Sequence, residues 1–214
     1  MSLRYLPYRA FRALLLPFSA AQRRRRTRRF IETMAPEPDM RIIDLGGQPA
    51  SWDAVPGPLE ITIVNLPGVV CDPLDRGPHR ITLVEGDACD LSQFKDDSFD
   101  LAFSNSVIEH VGDAGRRAAF AREARRVAHG FWIQTPSIWF PVEAHTGMPF
   151  WWFYPEQARR WLKATWRKRL PAWTEMIEGT TVLKRREIET LFPEGRIWTE
   201  RLAGLPKSYV TWSR

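Results

Sequence analysis

The apolar run Arg41-Ile42-Ile43 leads into Asp44-Leu45-Gly46-Gly47, a strand that stops on an acidic residue and a glycine turn. Glycine lets the backbone approach a ligand and accepts the positive φ that sharp turns need. Small and acidic residues at the carboxyl end of a first strand suit an adenosine-type cofactor in an open α/β sheet. Phe99-Asp100-Leu101-Ala102-Phe103-Ser104 follows about 60 residues later and also ends on polar groups, a spacing that two βαβ units produce.

Between and beyond these two segments, short apolar runs alternate with polar stretches. Strands are expected at 41–45, 60–65, 81–85, 99–104 and 130–135, each apolar enough to be buried in a parallel sheet. The clearest helix spans 113–128, with Ala114, Ala118, Ala121, Ala124 and Val127 on one face and Gly130 as its stop. The first two crossovers are unusual. Residues 48–59 hold Pro49, Pro56 and Pro58, so any helix there is short, and 66–80 holds Pro67, Pro73 and Pro78. The sheet is therefore expected to be trimmed on one side. After the fifth strand, 136–154 is dense in proline and aromatics, Pro155 starts a helix, 184–192 forms a short helix, and 196–202 with 207–212 closes as an antiparallel pair. The fold class is α/β: a Rossmann-like doubly wound sheet, mostly parallel, with an antiparallel C-terminal pair.

A length of 214 residues, with 44% hydrophobic, accommodates one such domain (41–214) and an N-terminal helical extension (1–40) closed by Ala35-Pro36. The two cysteines, Cys71 and Cys89, are too few for a disulfide framework and have no metal spacing, which fits a reducing compartment. No apolar run is long enough to span a bilayer. The apolar patch Ala13 to Phe18 is short and runs into arginines, so no secretory signal and a cytoplasmic location are expected.

The net charge of +6 is concentrated in Gln22-Arg23-Arg24-Arg25-Arg26-Thr27-Arg28-Arg29. We read this run as a solvated helix face with Phe30, Ile31 and Met34 packing inward. Joined to Tyr5, Leu6, Tyr8, Phe11 and Phe18, residues 1–30 could also rest on an anionic membrane surface. RNA is the other polyanion, but no RNA-binding motif accompanies the charge, so nucleic acid is not the expected partner.

The order Ile42-Ile43-Asp44-Leu45-Gly46-Gly47, Val84-Glu85-Gly86-Asp87-Ala88, then Ser98-Phe99-Asp100-Leu101 through Glu109-His110, with Leu191-Phe192-Pro193 and Gly204-Leu205-Pro206-Lys207-Ser208 in the tail, resembles the class I S-adenosylmethionine-dependent methyltransferases, in particular the small bacterial type 11 group. The resemblance covers roughly 41–212. It implies S-adenosylmethionine across the carboxyl ends of strands one to four. Asp44, Gly46 and Gly47 would cradle the methionine part, and Asn65 would face the ribose. Asp87 with Ala88 would meet the adenine. Ser104 and Asn105 would lie beneath the methionine and the transferring methyl. The chain departs from the family pattern in having Gln48, Pro49 and Ala50 where further glycines are usual, and Asn65 where an acidic residue is common. A dinucleotide site is disfavoured, because Gly46 to Ser51 lacks G-x-G-x-x-G.

Methyl transfer needs a base only if the acceptor must lose a proton. His145, in Pro141-Val142-Glu143-Ala144-His145-Thr146, and His110, beside the expected methyl position, are the candidates; His145 has a structural alternative as a loop-fixing hydrogen bond, and His110 would position substrate or cofactor in preference to taking a proton, or else shape the loop and helix start with Glu109. His79 and His129 are expected to be exposed. No metal is expected, since no set of three ligands has the spacing. Five consecutive aromatics, Phe150 to Tyr154, cannot all face inward from one element, which points to an apolar or aromatic small-molecule acceptor. The two other functional classes are a cofactor-binding, catalytically inactive homologue acting as a partner subunit, and an RNA methyltransferase.

Overall fold

The computed structural model describes residues 21–71, 77–143, 148–169 and 178–214, with 171, 174 and 177 between the last two stretches. Helix α1 runs through 21–34. It is followed by β1 (Arg41–Leu45), a 3-10 turn (Pro49–Ser51), β2 (Glu60–Asn65), β3 (Arg80–Glu85), β4 (Phe99–Asn105), α2 (Ala114–Val127) and β5 (Ala128–Pro136). A second 3-10 turn (Trp151–Phe153), α3 (Glu156–Arg169), α4 (Arg185–Leu191), β6 (Arg196–Leu202) and β7 (Leu205–Ser213) complete the order.

The strands form one seven-stranded sheet in the order β3-β2-β1-β4-β5-β7-β6. β1 pairs in parallel with β2 and β4, β2 with β3, and β4 with β5. β7 runs antiparallel to both β5 and β6. The expected strands are present, some one to three residues longer. β5 starts directly at Ala128, so α2 ends at Val127 without Gly130 as its stop; Gly130 lies inside β5.

Two apolar layers cover the sheet. One face packs Ile43, Leu45, Ala102, Phe131 and Ile133 against Phe120, Ala121, Ala124 and Val127 of α2 and Ile188 of α4. The inward face of α2 is set by Arg117, Phe120, Ala121, Ala124 and Val127, whereas Ala114 and Ala118 face solvent. Phe120 outweighs the small alanines, and Arg117 reaches Glu187 of α4 at 2.6 Å.

The other face shows the consequence of the proline-rich crossover. No α-helix forms in 48–59, so α1 and a turn cover the sheet instead. Phe30 and Met34 of α1 join Trp52, Val55 and Leu59 over Ile42, Ile61, Ile63, Phe103 and Trp132. The rings of Phe30 and Phe103 meet edge-on at 5.2 Å, and those of Trp52 and Phe103 lie 4.8 Å apart. The inward packing of Phe30 and Met34 is as expected. β3 differs from expectation: it is an edge strand with mostly exposed residues, Leu83 among them. Among the described residues, the crossovers on either side of β3 hold no helix to cover it.

His79 is also different. It is buried, and its Nε2 sits 3.1 Å from both the Trp52 and Val55 carbonyls. A crossover without a helix leaves these carbonyls needing a donor, and the imidazole supplies it. His129 is exposed, as expected.

Candidate active site

The polar residues gather where the sequence places them, along the carboxyl ends of β1, β2, β3 and β4. Gly46 leaves β1 with φ +78°, and its N–H donates to Val64 O of β2 at 2.9 Å. A Cβ on Gly46 would lie 2.5 Å from Val107, so glycine is needed both for its φ and for room. Gly47 has a different constraint: a Cβ there would fall on the Asp44 carboxylate.

Asp44 therefore lies under the glycine turn, fully buried. Trp52 Nε1 donates to its Oδ2 at 2.8 Å, and Oδ1 has no hydrogen-bond donor. Burial pushes the Asp44 carboxyl up to about 7, only partly opposed by the indole hydrogen bond. Asp44 shapes the turn from beneath, while Gly46 and Gly47 form its surface.

Asn65 closes β2. Its Nδ2 donates to Gly47 O at 3.0 Å, which ties the second strand to the glycine turn and leaves Oδ1 as the acceptor. Asp87 follows β3. Its Oδ1 accepts from Cys89 N at 2.9 Å, and its Oδ2 accepts from Arg116 Nη2 at 2.6 Å. Burial pushes the Asp87 carboxyl up, but the hydrogen bonds from Arg116 and Cys89 outweigh it and hold the group below the usual carboxylate range. Ala88 lies next to it, packed against the core. The loop carrying both is fastened by α2: Arg126 donates to Leu91 O and Phe94 O, each at 2.9 Å, and Glu123 accepts from Leu91 N.

At the end of β4, Ser104 is buried and donates to Leu45 O at 2.9 Å, locking β4 to β1. Asn105 Oδ1 accepts from Arg26 Nη1 of α1 at 2.9 Å. His110 stands just beyond, partly exposed, with Nδ1 3.1 Å from Thr180 Oγ1 and Nε2 4.0 Å from the buried Glu109 carboxylate. Glu109 Oε2 accepts from Thr135 of β5 at 3.0 Å. His145 lies outside the described residues.

Three participants were missed in the sequence. Arg26 was one arginine among six, and only the four-residue spacing Gln22, Arg26, Phe30, Met34 marks it as inward-facing. Trp52 lies among prolines in a short crossover and carries no signal of its partner, Asp44. Arg116 has no local signal, because its role depends on α2 starting beside the β3 loop.

The aromatic segment divides as a run of five must. Trp151 is buried and stacks on Trp166 of α3 with centroids 5.1 Å apart. Trp139, Phe150 and Phe153 are each at least half exposed, and the Trp139 and Phe153 rings lie 5.4 Å apart. A separate cleft of about 490 Å³ opens at the opposite, amino ends of the strands, lined by Met34, Asp39, Asp100, His129 and Arg214. Ligands of open α/β sheets bind at the carboxyl ends, so the polar edge is the candidate site. Among the described residues, no group of three His, Cys, Asp or Glu is placed to hold a metal ion.

The residues fit S-adenosylmethionine. The glycine turn offers a close backbone approach, Asn65 and Asp87 offer acceptors, and all stand on adjacent strand ends. Comparison with known proteins agrees. Residues 58–130, about a third of the chain, match the family model described as "Methyltransferase domain". That match begins after the trimmed crossover and leaves out the glycine turn. No curated protein matches in sequence. Among solved structures, methyltransferase CalO6 is 17% identical with a TM-score of 0.51, covering 81% of this chain and 57% of that one. The N-terminal domain of EvdMO1, determined in the presence of SAH and D-fucose, is 17% identical with a TM-score of 0.52, covering 90% and 82%. A Haemonchus contortus phosphoethanolamine N-methyltransferase 2 complex with phosphomonomethylethanolamine and S-adenosylhomocysteine is 14% identical with a TM-score of 0.51, covering 82% and 38%. The chain thus spans little more than half of the CalO6 chain and well under half of the Haemonchus one. The family-model match supports a methyltransferase domain over 58–130, and the solved structures share its fold.

Proposed function

We propose that the chain transfers a methyl group from S-adenosylmethionine to a hydroxyl of a small apolar or aromatic acceptor. The observation that carries this reading is the alignment of Gly46-Gly47, Asn65, Asp87 and Asn105 along four neighbouring strand ends. When bound, the cofactor supplies an electrophilic methyl on a sulfonium. Asp87, held ionised by Arg116, accepts from the adenine amine. Asn65 Oδ1 accepts from a ribose hydroxyl while its Nδ2 keeps the glycine turn in place. The exposed rings of Trp139, Phe150 and Phe153 form an apolar wall for the acceptor, next to the loop after β5.

His110 or His145 takes the hydroxyl proton. His110 Nδ1 lies 3.1 Å from Thr180 Oγ1 and its Nε2 4.0 Å from the Glu109 carboxylate, two neighbours that orient the ring. The test is transfer of a labelled methyl group to a panel of hydroxylated aromatic and lipid-like acceptors. Label in at least one acceptor, lost in Asp87→Ala, is expected. If a protein that binds S-adenosylhomocysteine labels none, the second reading takes over: a cofactor-binding, inactive partner subunit. That reading is favoured by one observation, the commitment of the Asp44 carboxylate to Trp52 beneath a trimmed glycine turn.

We also propose peripheral contact with an anionic membrane through residues 1–30. Arg23, Arg24 and Arg28 are exposed on α1, while Arg29 lies over the Trp198 ring at 5.9 Å and Arg25 donates to Arg201 O. No helix among the described residues is long and apolar enough to cross a membrane. Binding to phosphatidylserine vesicles that is lost when Arg23, Arg24 and Arg28 are replaced by Gln supports the contact. Binding to RNA alone overturns it in favour of an RNA substrate.

A further inference from the structure

We propose that the outer face of α3, together with the aromatic rim that precedes it, is a docking surface for an anionic phospholipid bilayer. The surface is distinct from the arginines of α1. It goes beyond the methyltransferase reading and does not depend on it.

Among the described residues, the exposed aromatics are Trp139, Phe150, Phe153 and Trp161, and all four fall within 139–161. Every other described aromatic is buried or partly buried. Apolar side chains gathered on one stretch of surface mark an interaction site, whereas scattered ones do not. Trp161 is 67% exposed because α3 spends its other face on packing. Leu162 and Trp166 turn inward onto Trp151 and Tyr154, in a cluster apart from the two layers on the sheet. At 3.6 residues per turn the opposite face carries Arg160, Trp161, Ala164, Arg167 and Lys168, all exposed.

The charge of α3 selects the partner. The helix holds six basic residues and a single acidic one, Glu156. Arg160 is paired with Glu156, Arg167 with Glu178, and Arg159 lies over the Trp152 ring at 6.0 Å. Lys163, Lys168 and Arg169 have no acidic partner among the described residues. A bilayer interface accepts this combination. Indole rings settle at the headgroup level, long basic side chains lay their stems along apolar surface, and their charges meet lipid phosphates. An anionic leaflet adds attraction for each cation. Single-stranded RNA also pairs cations with aromatics, but it stacks bases on open ring faces. The Trp139 and Phe153 rings are packed on each other, with centroids 5.4 Å apart, and so offer edges instead. The segment leaves the sheet at Pro136, the carboxyl end of β5, on the edge that α1 reaches through Arg26 and Asn105. The two basic surfaces therefore flank one edge of the sheet.

The experiment is co-sedimentation of the full chain with phosphatidylcholine vesicles, with and without phosphatidylserine. Tighter binding to the phosphatidylserine vesicles is expected. Replacing Lys163, Lys168 and Arg169 together by Gln should weaken that binding about a hundredfold, at roughly fivefold per cation. Trp161→Ala should weaken it about tenfold. Adding the α3 substitutions to Arg23→Gln, Arg24→Gln and Arg28→Gln should weaken it more than either set alone. All four α3 positions are at least partly exposed, and thermal unfolding like that of wild type checks that the variants fold. Vesicle binding untouched by the α3 substitutions overturns the surface, as does wild type that binds neither vesicle. Binding of a single-stranded RNA, abolished by the same substitutions while vesicles stay unbound, overturns it in favour of nucleic acid. Titration with S-adenosylhomocysteine reads the methyltransferase account separately in each case.

Discussion

The indole N–H of Trp52 donates to the buried carboxylate of Asp44 over 2.8 Å, and this bond joins the first strand to a crossover that has lost its helix. In its place, Trp52 packs against Phe30 of α1 and Phe103 of β4. One side chain thus fills the layer that a helix would cover and fixes the carboxylate beneath Gly47.

Asp44 makes stability depend on pH. Its carboxyl is raised to about 7 in the folded chain, against about 3.9 for an unfolded aspartate. The folded state therefore holds a proton that the unfolded state releases. The contribution is full below about pH 4 and is lost as pH rises through about 7. In urea unfolding, Asp44→Asn should gain on wild type by about 4 kcal/mol between pH 4 and pH 8. Parallel pH profiles for the two proteins would show that Asp44 does not titrate this way.

Trp52 has separable packing and hydrogen-bonding roles. Trp52→Phe should cost about 1–3 kcal/mol, since it leaves the Asp44 carboxylate without a donor. Trp52→Ala should cost about 3–5 kcal/mol, because it adds a cavity. In an Asp44→Asn background the Phe substitution should cost less, and urea unfolding of the double-mutant cycle measures the difference.

The candidate site was legible in the sequence where it depends on strand ends. Apolar runs that stop on Gly46-Gly47, Asn65, Asp87 and Asn105 reveal both the strands and the polar groups they deliver. What depends on absent helices was not legible. His79 reads as a loop histidine, yet it is buried because two carbonyls, those of Trp52 and Val55, require a donor where no helix satisfies them. β3 reads as a buried strand, yet it is an edge with a bare face. Arg26 is hidden by its neighbours: six arginines look like one solvated surface until a period of four separates the inward one.

His79 provides a direct check of that explanation. His79→Ala should lower unfolding free energy by about 1–3 kcal/mol, the penalty for buried carbonyls left without a partner. His129→Ala, at an exposed position, should change it by less than about 0.5 kcal/mol. Thermal unfolding of the two variants side by side would reveal any reversal.

Arg116 keeps Asp87 ionised. A lowered carboxyl contributes above its ordinary range and is lost as pH falls through the lowered value. In Arg116→Ala, the acid-side loss of S-adenosylhomocysteine affinity should therefore begin at a higher pH than in wild type. Dissociation constants between pH 4 and pH 7 measure the displacement, and superimposed curves would mean that Asp87 does not contact the cofactor as an anion.

Cofactor binding at the strand ends is tested most directly by calorimetric titration of folded protein with S-adenosylhomocysteine, wild type beside Asp87→Ala. Saturable one-site binding in wild type, weakened at least about tenfold in the variant, is the predicted result. No saturable binding by wild type, or equal binding by both proteins, would contradict it.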